Sequence, residues 1–138
     1  MVGDAEARGP LRLLVSARDP GAAQVLLPVL ARAAADRRLE LCVVAQEPAA
    51  GILRRAGFEV GDVRCPALVS SSSPNASNLL DEADEILRRT APHALLAGLS
   101  GPGIGIDEAL LVRAKSIATY TIQDYPGYRV EGFGVRAL

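Results

Sequence analysis

The chain has 138 residues, 49% of them apolar but only 4% aromatic, with a net charge of −1. That is the length of one ordinary domain, and the Ala, Leu and Val content is enough for a core and excludes a disordered chain. No basic stripe is interleaved with aromatics, which excludes nucleic acid as a partner and gives an anionic membrane surface nothing to attract.

The apolar runs fall short of the roughly 20 residues needed to span a bilayer. The opening MVGDAEARGP lacks the apolar core of a signal peptide. A cytoplasmic protein is therefore expected. Residues 1–10 read as a flexible leader and 11–138 as a single domain. Two separated cysteines, Cys42 and Cys65, and a single histidine, His93, make neither a disulfide framework nor a zinc site. Both cysteines read as buried small hydrophobes.

The first predicted strand, Leu11 to Ser16, carries the continuous apolar run of a strand covered on both faces. Ala17 to Gly21 is a turn. An apolar helix follows from Gly21 or Ala22, with Pro28 expected to kink or loosen it. Leu39 to Ala45 is a second strand. A short helix from Pro48 to Ala56 has Pro48 at its first position and Gly57 as its cap. Phe58 to Val60, extending to Val63, reads as a third short strand.

Residues 64–78, with Ser70 to Ser73, read as an exposed loop. The next helix has Asn75, Ser77 and Asn78 as candidate caps. Leu79, Leu80, Ala83, Ile86 and Leu87 form its inner stripe, with Asp81, Glu82, Asp84 and Glu85 outward. Ala94 to Leu99 is a fourth strand, followed by the glycine-rich loop Ser100 to Ile106. A helix from Asp107 to Lys115 precedes a fifth strand, Ile117 to Gln123, and a loop through Asp124 and Tyr125. Strands alternating with helices give an α/β domain: a three-layer, Rossmann-like open parallel sheet of about five strands. Right-handed crossovers favour the order 3-2-1-4-5.

In such a sheet ligands sit beyond the carboxyl ends of the strands. That edge gathers the candidate binding residues Ser16, Asp19, Gly21, Gln46, Glu47, Ser100, Gly101, Gly103, Gly105, Asp124 and Tyr125. Asp19, Glu47 and Asp124 are the candidate acid/base groups, each also a natural loop cap. Backbone N–H groups at either helix start suit a phosphate or carboxylate. The alternating glycines Gly101, Gly103 and Gly105 serve either a turn or a close backbone approach to a ligand. They do not form GxGxxG, and no GxxxxGK[ST] occurs, so no nucleotide cofactor is implied and no metal. Gly98-Leu99-Ser100-Gly101-Pro102 imitates a nucleophile elbow. Its last glycine is replaced, and His93 precedes the serine at the opposite end of the strand, so a serine hydrolase is not expected.

Three stretches carry a family resemblance: LLVSARDPGAAQVLLPVL, VVAQEPAAGILRRAGFEV and ILRRTAPHALLAGLSGPG. Together they resemble the N-terminal domain of GT-B-type glycosyltransferases and of UDP-N-acetylglucosamine 2-epimerases. His93 stands where that family usually has an aspartate, and the first loop lacks the glycine-glycine-histidine sequence of some members. The resemblance implies a sugar, nucleotide-sugar or phosphorylated-metabolite ligand at these loops, with Asp19 and Glu47 orienting hydroxyls. It also implies a second Rossmann-like domain holding most of the donor nucleotide, so that this chain is the N-terminal half of such a protein. The alternative is a non-catalytic module that binds a small ligand or forms a homo-oligomer.

Overall fold

The computed structural model describes residues 9–101 and 103–123. Five parallel strands run β1 (Leu11–Ala17), β2 (Leu39–Ala45), β3 (Gly61–Asp62), β4 (Ala94–Leu99) and β5 (Ala118–Gln123). They lie in the order β3-β2-β1-β4-β5, as the alternation of strands and helices predicts. The register runs Leu11↔Leu39 to Ala17↔Ala45 between β1 and β2, and Leu13↔Ala94 to Ser16↔Ala97 between β1 and β4. β1 is thus central, and the switch in strand order falls between β1 and β4.

Among the described residues, four helices cover the two faces: α1 (Pro20–Ala34), α2 (Ala49–Arg55), α3 (Ala76–Thr90) and α4 (Ile106–Arg113). Alternation along β1 divides the core. Val15 faces the α1 and α2 layer with Leu26, Leu30, Val43 and Leu53. Leu14 faces the α3 and α4 layer with Leu79, Ile86, Leu95 and Leu110. Gly98 lets α1 approach β4 closely. A Cβ there would lie 3.0 Å from Leu26 Cδ1 and 3.1 Å from Ala22 Cβ.

Several boundaries differ from the sequence reading. α1 starts at Pro20, because the Asp19 carboxylate accepts from Ala22 N at 2.8 Å and Pro20 fills the first turn, where its missing donor costs nothing. It then continues across Pro28 to Ala34. α2 begins at Ala49, with Pro48 at the cap position. Gly57, at φ +96°, ends α2: Gly57 N donates to Arg54 O and Phe58 N to Leu53 O, the paired bonds of a Schellman motif.

The expected strand at Phe58 to Val60 does not form. Those residues close α2 and pack into its core layer, and only Gly61 and Asp62 pair with β2, at Val44 and Ala45. Cys42 and Cys65 are free and half-buried rather than buried. His93 lies at the entry of β4, where its Nδ1 accepts from Arg12 N at 2.9 Å, a structural role at the end of the sheet opposite the glycine loop. The stretch Val130 to Leu138 lies outside the described residues.

The largest departure is Glu82. It points inward, only 6% exposed, and accepts from Arg64 N at 2.6 Å and Cys65 N at 2.8 Å. Burial pushes its carboxyl up, but those N–H groups, the Cys65 thiol and the Arg64 charge outweigh burial and hold it below the usual range. One acid on α3 thereby anchors the start of the 64–75 loop.

Candidate functional site

The carboxyl ends of β1, β2 and β4 converge on a buried polar cluster. Ser16 ends the inward run of β1, fully buried, and its hydroxyl donates to Asp107 Oδ1 in the first turn of α4. Two residues on, Arg18 folds back over the switch point instead of pointing to solvent, and is 8% exposed. Its Nη2 donates to the carbonyl of Ser100 and to that of Gly103 at 3.0 Å, and lies 3.4 Å from Glu108 Oε1. Buried cations persist where they are paired and hydrogen-bonded, as this one is.

Gln46, from the end of β2, is the second clasp. Its Nε2 donates to Cys65 O at 2.7 Å and its Oε1 accepts from Ile106 N at 2.9 Å. It thus ties the 64–75 loop to the start of α4. A second tie is the antiparallel bridge between Leu68 and Ile104, with N–H to O distances of 2.7 and 2.9 Å.

The loop glycines at 103 and 105 have distinct causes. Gly103 adopts φ +91°, where a side chain is strained, and a Cβ there would sit 2.6 Å from Leu68 O. Gly105 is needed for close approach, not by a ligand but by the chain itself. A Cβ there would fall 2.4 Å from Arg18 Cδ and 2.5 Å from Gln46 Oε1.

Electrostatics single out α4. Burial, then the neighbouring Glu108 charge, pushes the Asp107 carboxyl well above the usual carboxylate range, against the opposing pull of Ser16 and Arg18. Burial also raises Glu108, opposed chiefly by Arg18 and by the Gly105 N–H, which donates to Glu108 Oε2 at 2.8 Å. Among the described residues, Asp107 Oδ2 and Ser100 Oγ are buried without a hydrogen-bond partner. The N–H groups of Gly105 and Ile106, which open α4, are already engaged by Glu108 and Gln46.

The residues expected from sequence therefore divide. Ser16, Gln46, Ser100, Gly103 and Gly105 meet in the cluster. Gly101 is half-buried in the same loop. Asp19 and Gly21 lie at the start of α1, with Asp19 used as its cap. Glu47 is exposed, accepts from Gly51 N at 3.1 Å and pairs with Arg54 at 3.7 Å. Asp124 and Tyr125 lie outside the described residues. Arg18 and Asp107 fall within the edge stretches 16–21 and 100–107 but were not singled out as binding residues, and Glu108 lies just beyond them. The available signal was a lone arginine squeezed between the end of a buried strand and a helix cap, with no room for a solvent-facing loop.

A cleft of about 290 Å³ adjoins the cluster at the ends of β2 and β3, lined by Gln46, Glu47, Arg54, Asp62, Arg64 and Cys65 among others. Arg54 pairs with Asp62 and Glu47, and Arg64 with Glu82 and Glu85. Burial, helped by Glu82, pushes the Cys65 thiol up to about 11, which keeps it protonated at neutral pH. No group of three or more His, Cys, Asp and Glu among the described residues is placed to hold a metal ion. No helix of the described residues is long and apolar enough to cross a membrane.

No protein-family model matches the sequence, and no curated protein is significantly similar to it. Solved structures do share the fold. A UDP-GlcNAc 2-epimerase from Neisseria meningitidis, solved bound to UDP-GlcNAc, matches at TM-score 0.63 and 14% identity over 81% of this chain and 32% of its own. A second UDP-N-acetylglucosamine 2-epimerase matches at 0.63 and 15%, over 82% of this chain and 33% of its own. The glycotransferase of kitacinnamycin matches at 0.54 and 12%, over 84% and 31%. The chain has the fold of a Rossmann-like domain seen in nucleotide-sugar epimerases and glycosyltransferases, and spans about a third of the length of those proteins.

Proposed function

We propose that the carboxyl edge of this sheet binds a sugar or nucleotide sugar, as one wall of a sugar-processing cleft of epimerase or glycosyltransferase type. The observation that carries this is the convergence of Ser16, Arg18, Gln46, Ser100 and Asp107 on the switch point of a fold shared with UDP-GlcNAc 2-epimerases. The adjoining cleft, with the Glu47 carboxylate in its lining, supplies acceptors for sugar hydroxyls, and Asp19 at the end of β1 would supply a further one. With Gly105 N and Ile106 N already engaged, the start of α4 offers a diphosphate little unless Glu108 moves. The sugar, rather than the diphosphate, is therefore the part this domain reads. A second domain of a longer protein would hold the nucleotide.

The test is thermal unfolding of the purified chain with UDP-GlcNAc, UDP and GlcNAc in turn. A ligand of the folded state stabilises by RT ln(1 + [L]/Kd), about 2.7 kcal/mol at a hundredfold excess over Kd. UDP-GlcNAc and GlcNAc should raise the melting temperature and UDP alone should not. No rise with either sugar at millimolar concentration would overturn the proposal. The alternative, a non-catalytic oligomerising module, draws on β5, where Thr119, Tyr120 and Thr121 are exposed at the sheet edge. A monomer mass in sedimentation across a wide concentration range would count against it.

A further inference from the structure

We propose that the buried quartet of Ser16, Arg18, Asp107 and Glu108 holds one proton, carried on Asp107, and that this proton latches the first turn of α4 to the end of β1. Charge counting carries the first half. Arg18, Asp107 and Glu108 are 8%, 0% and 2% exposed, and Arg18 is the only buried cation among the described residues. Two ionised carboxyls against one guanidinium would leave a net negative charge out of reach of water, a costly state that one retained proton removes. Hydrogen bonds decide where the proton sits. Glu108 Oε1 lies 3.4 Å from Arg18 Nη2, and Glu108 Oε2 accepts from Gly105 N at 2.8 Å. Both its oxygens face donors, which favours the ionised form. Asp107 receives only the Ser16 hydroxyl, on Oδ1, while Oδ2 is buried with no hydrogen-bond partner among the described residues. The start of a helix favours an anion, but weakly beside the cost of full burial.

The groups around Asp107 agree with this assignment. β1 contributes Ser16, and the turn after it brings Arg18 and the like charge of Asp19. The end of β2 brings the uncharged Gln46, engaged with Ile106 N. β4 carries no titratable side chain. α3 meets α4 through core residues such as Leu79 and Ile86, and its Asp84 pairs with Arg113 in the last turn of α4. Burial and the Glu108 charge both push the Asp107 carboxyl upward. While α4 is docked, an ionised Asp107 has one hydroxyl to solvate it; once the first turn lifts, water does so. Raising the pH draws the proton from Asp107 into solvent and so favours the lifted turn. Neutral Asp107 keeps the turn closed, with Gly105 and Ile106 tied to Glu108 and Gln46.

The experiment needs no ligand. In the isotope-labelled chain, side-chain carboxyl carbons are followed by NMR through a pH titration, with the exposed Asp81 as reference. Glu108 should lose its proton at lower pH than Asp107, and Asp107 should still hold its own at pH 6. Amide hydrogen exchange reads the latch at Gly105, Ile106 and Ala109, whose N–H groups are bonded within or onto the first turn. Above the unfolded value of about 3.9, and until Asp107 has titrated, one proton linked to opening lowers their protection about tenfold per pH unit. Protection below that of β1 marks the opening as local. Asp107→Asn, uncharged at every pH, should abolish the slope. Glu108→Gln removes the second negative charge and should move the Asp107 titration to lower pH. An Asp107 already ionised at pH 6, the reverse order of titration, protection equal to that of β1 throughout, or an unchanged slope in Asp107→Asn would each overturn the proposal. Where Asp107→Asn fails to fold, the wild-type titration and Glu108→Gln carry the test. A chain that shows the latch but no sugar binding would refute the proposed function alone.

Discussion

Glu82→Gln puts the inward anchor of the 64–75 loop to a sharp test. The carboxylate accepts two backbone N–H groups, from Arg64 and Cys65, and lies 3.6 Å from the Arg64 guanidinium. Hydrogen bonds to a charged group are worth about 1.5–3 kcal/mol each. The amide retains one acceptor oxygen but turns an NH2 toward the second N–H, leaving two buried donors facing each other. The cost should be about 1.5–3 kcal/mol at neutral pH. At about 3–4 °C per kcal/mol for a chain of this size, the melting temperature should fall by about 5–10 °C. Glu85→Gln is the control, because its pair with Arg64 is surface-exposed and worth about 1 kcal/mol or less. Urea unfolding monitored by circular dichroism gives both values. The sign with pH follows from the depressed carboxyl of Glu82: its contribution is present above the unfolded value of about 4.3 and is lost as pH falls through the lower folded value. The gap between wild type and Glu82→Gln should therefore close in acid. A Glu82→Gln chain within about 0.5 kcal/mol of wild type at pH 7 would refute the reasoning.

Three further outcomes follow from the packing and the buried acids. Gly105→Ala forces a methyl into Arg18 Cδ and Gln46 Oε1, and should cost about 1–3 kcal/mol in urea unfolding. Leu26→Ala opens a cavity over Gly98 in a fully buried position and should cost about 2–5 kcal/mol by the same measurement. Asp107, raised in the folded state, binds its proton more tightly folded than unfolded, so its own contribution to stability declines as pH rises above about 3.9. Asp107→Asn keeps an acceptor for Ser16 without the titration. Its stability relative to wild type should thus improve from pH 4 toward pH 8, and a pH-independent difference would contradict the assignment.

Most of the architecture was legible because β1, β2 and β4 are apolar runs buried on both faces, and burial of that kind leaves a mark in the residues themselves. Asp19 before Pro20 marks a helix start just as plainly, although the turn-forming reputation of Pro20 and Gly21 pushed the expected boundary one or two residues late. Phe58 to Val60 misled because two β-forming apolar residues alternating with Glu59 can equally close a helix, and the Schellman bonds at Gly57 took them first.

The site was harder to see. Its partners are distant in sequence: Ser16 with Asp107, Arg18 with Ser100, Gln46 with Ile106, Glu82 with Arg64. Acids in a helix's first turn suit the dipole whether they face water or the core, so Asp107 and Glu108 carried no local sign of burial. The same holds for Glu82 among three acidic neighbours, where helical spacing offers two faces and only the loop at 64–65 decides between them.

The most direct test of the sugar-binding edge is an amide NMR titration of the isotope-labelled chain with UDP-GlcNAc. Shifts should gather at residues 16–21, 46–47 and 100–105, with the opposite edge, at 36–38 and 91–93, unmoved. Shifts confined to that opposite edge, or none at millimolar ligand, would contradict the assignment.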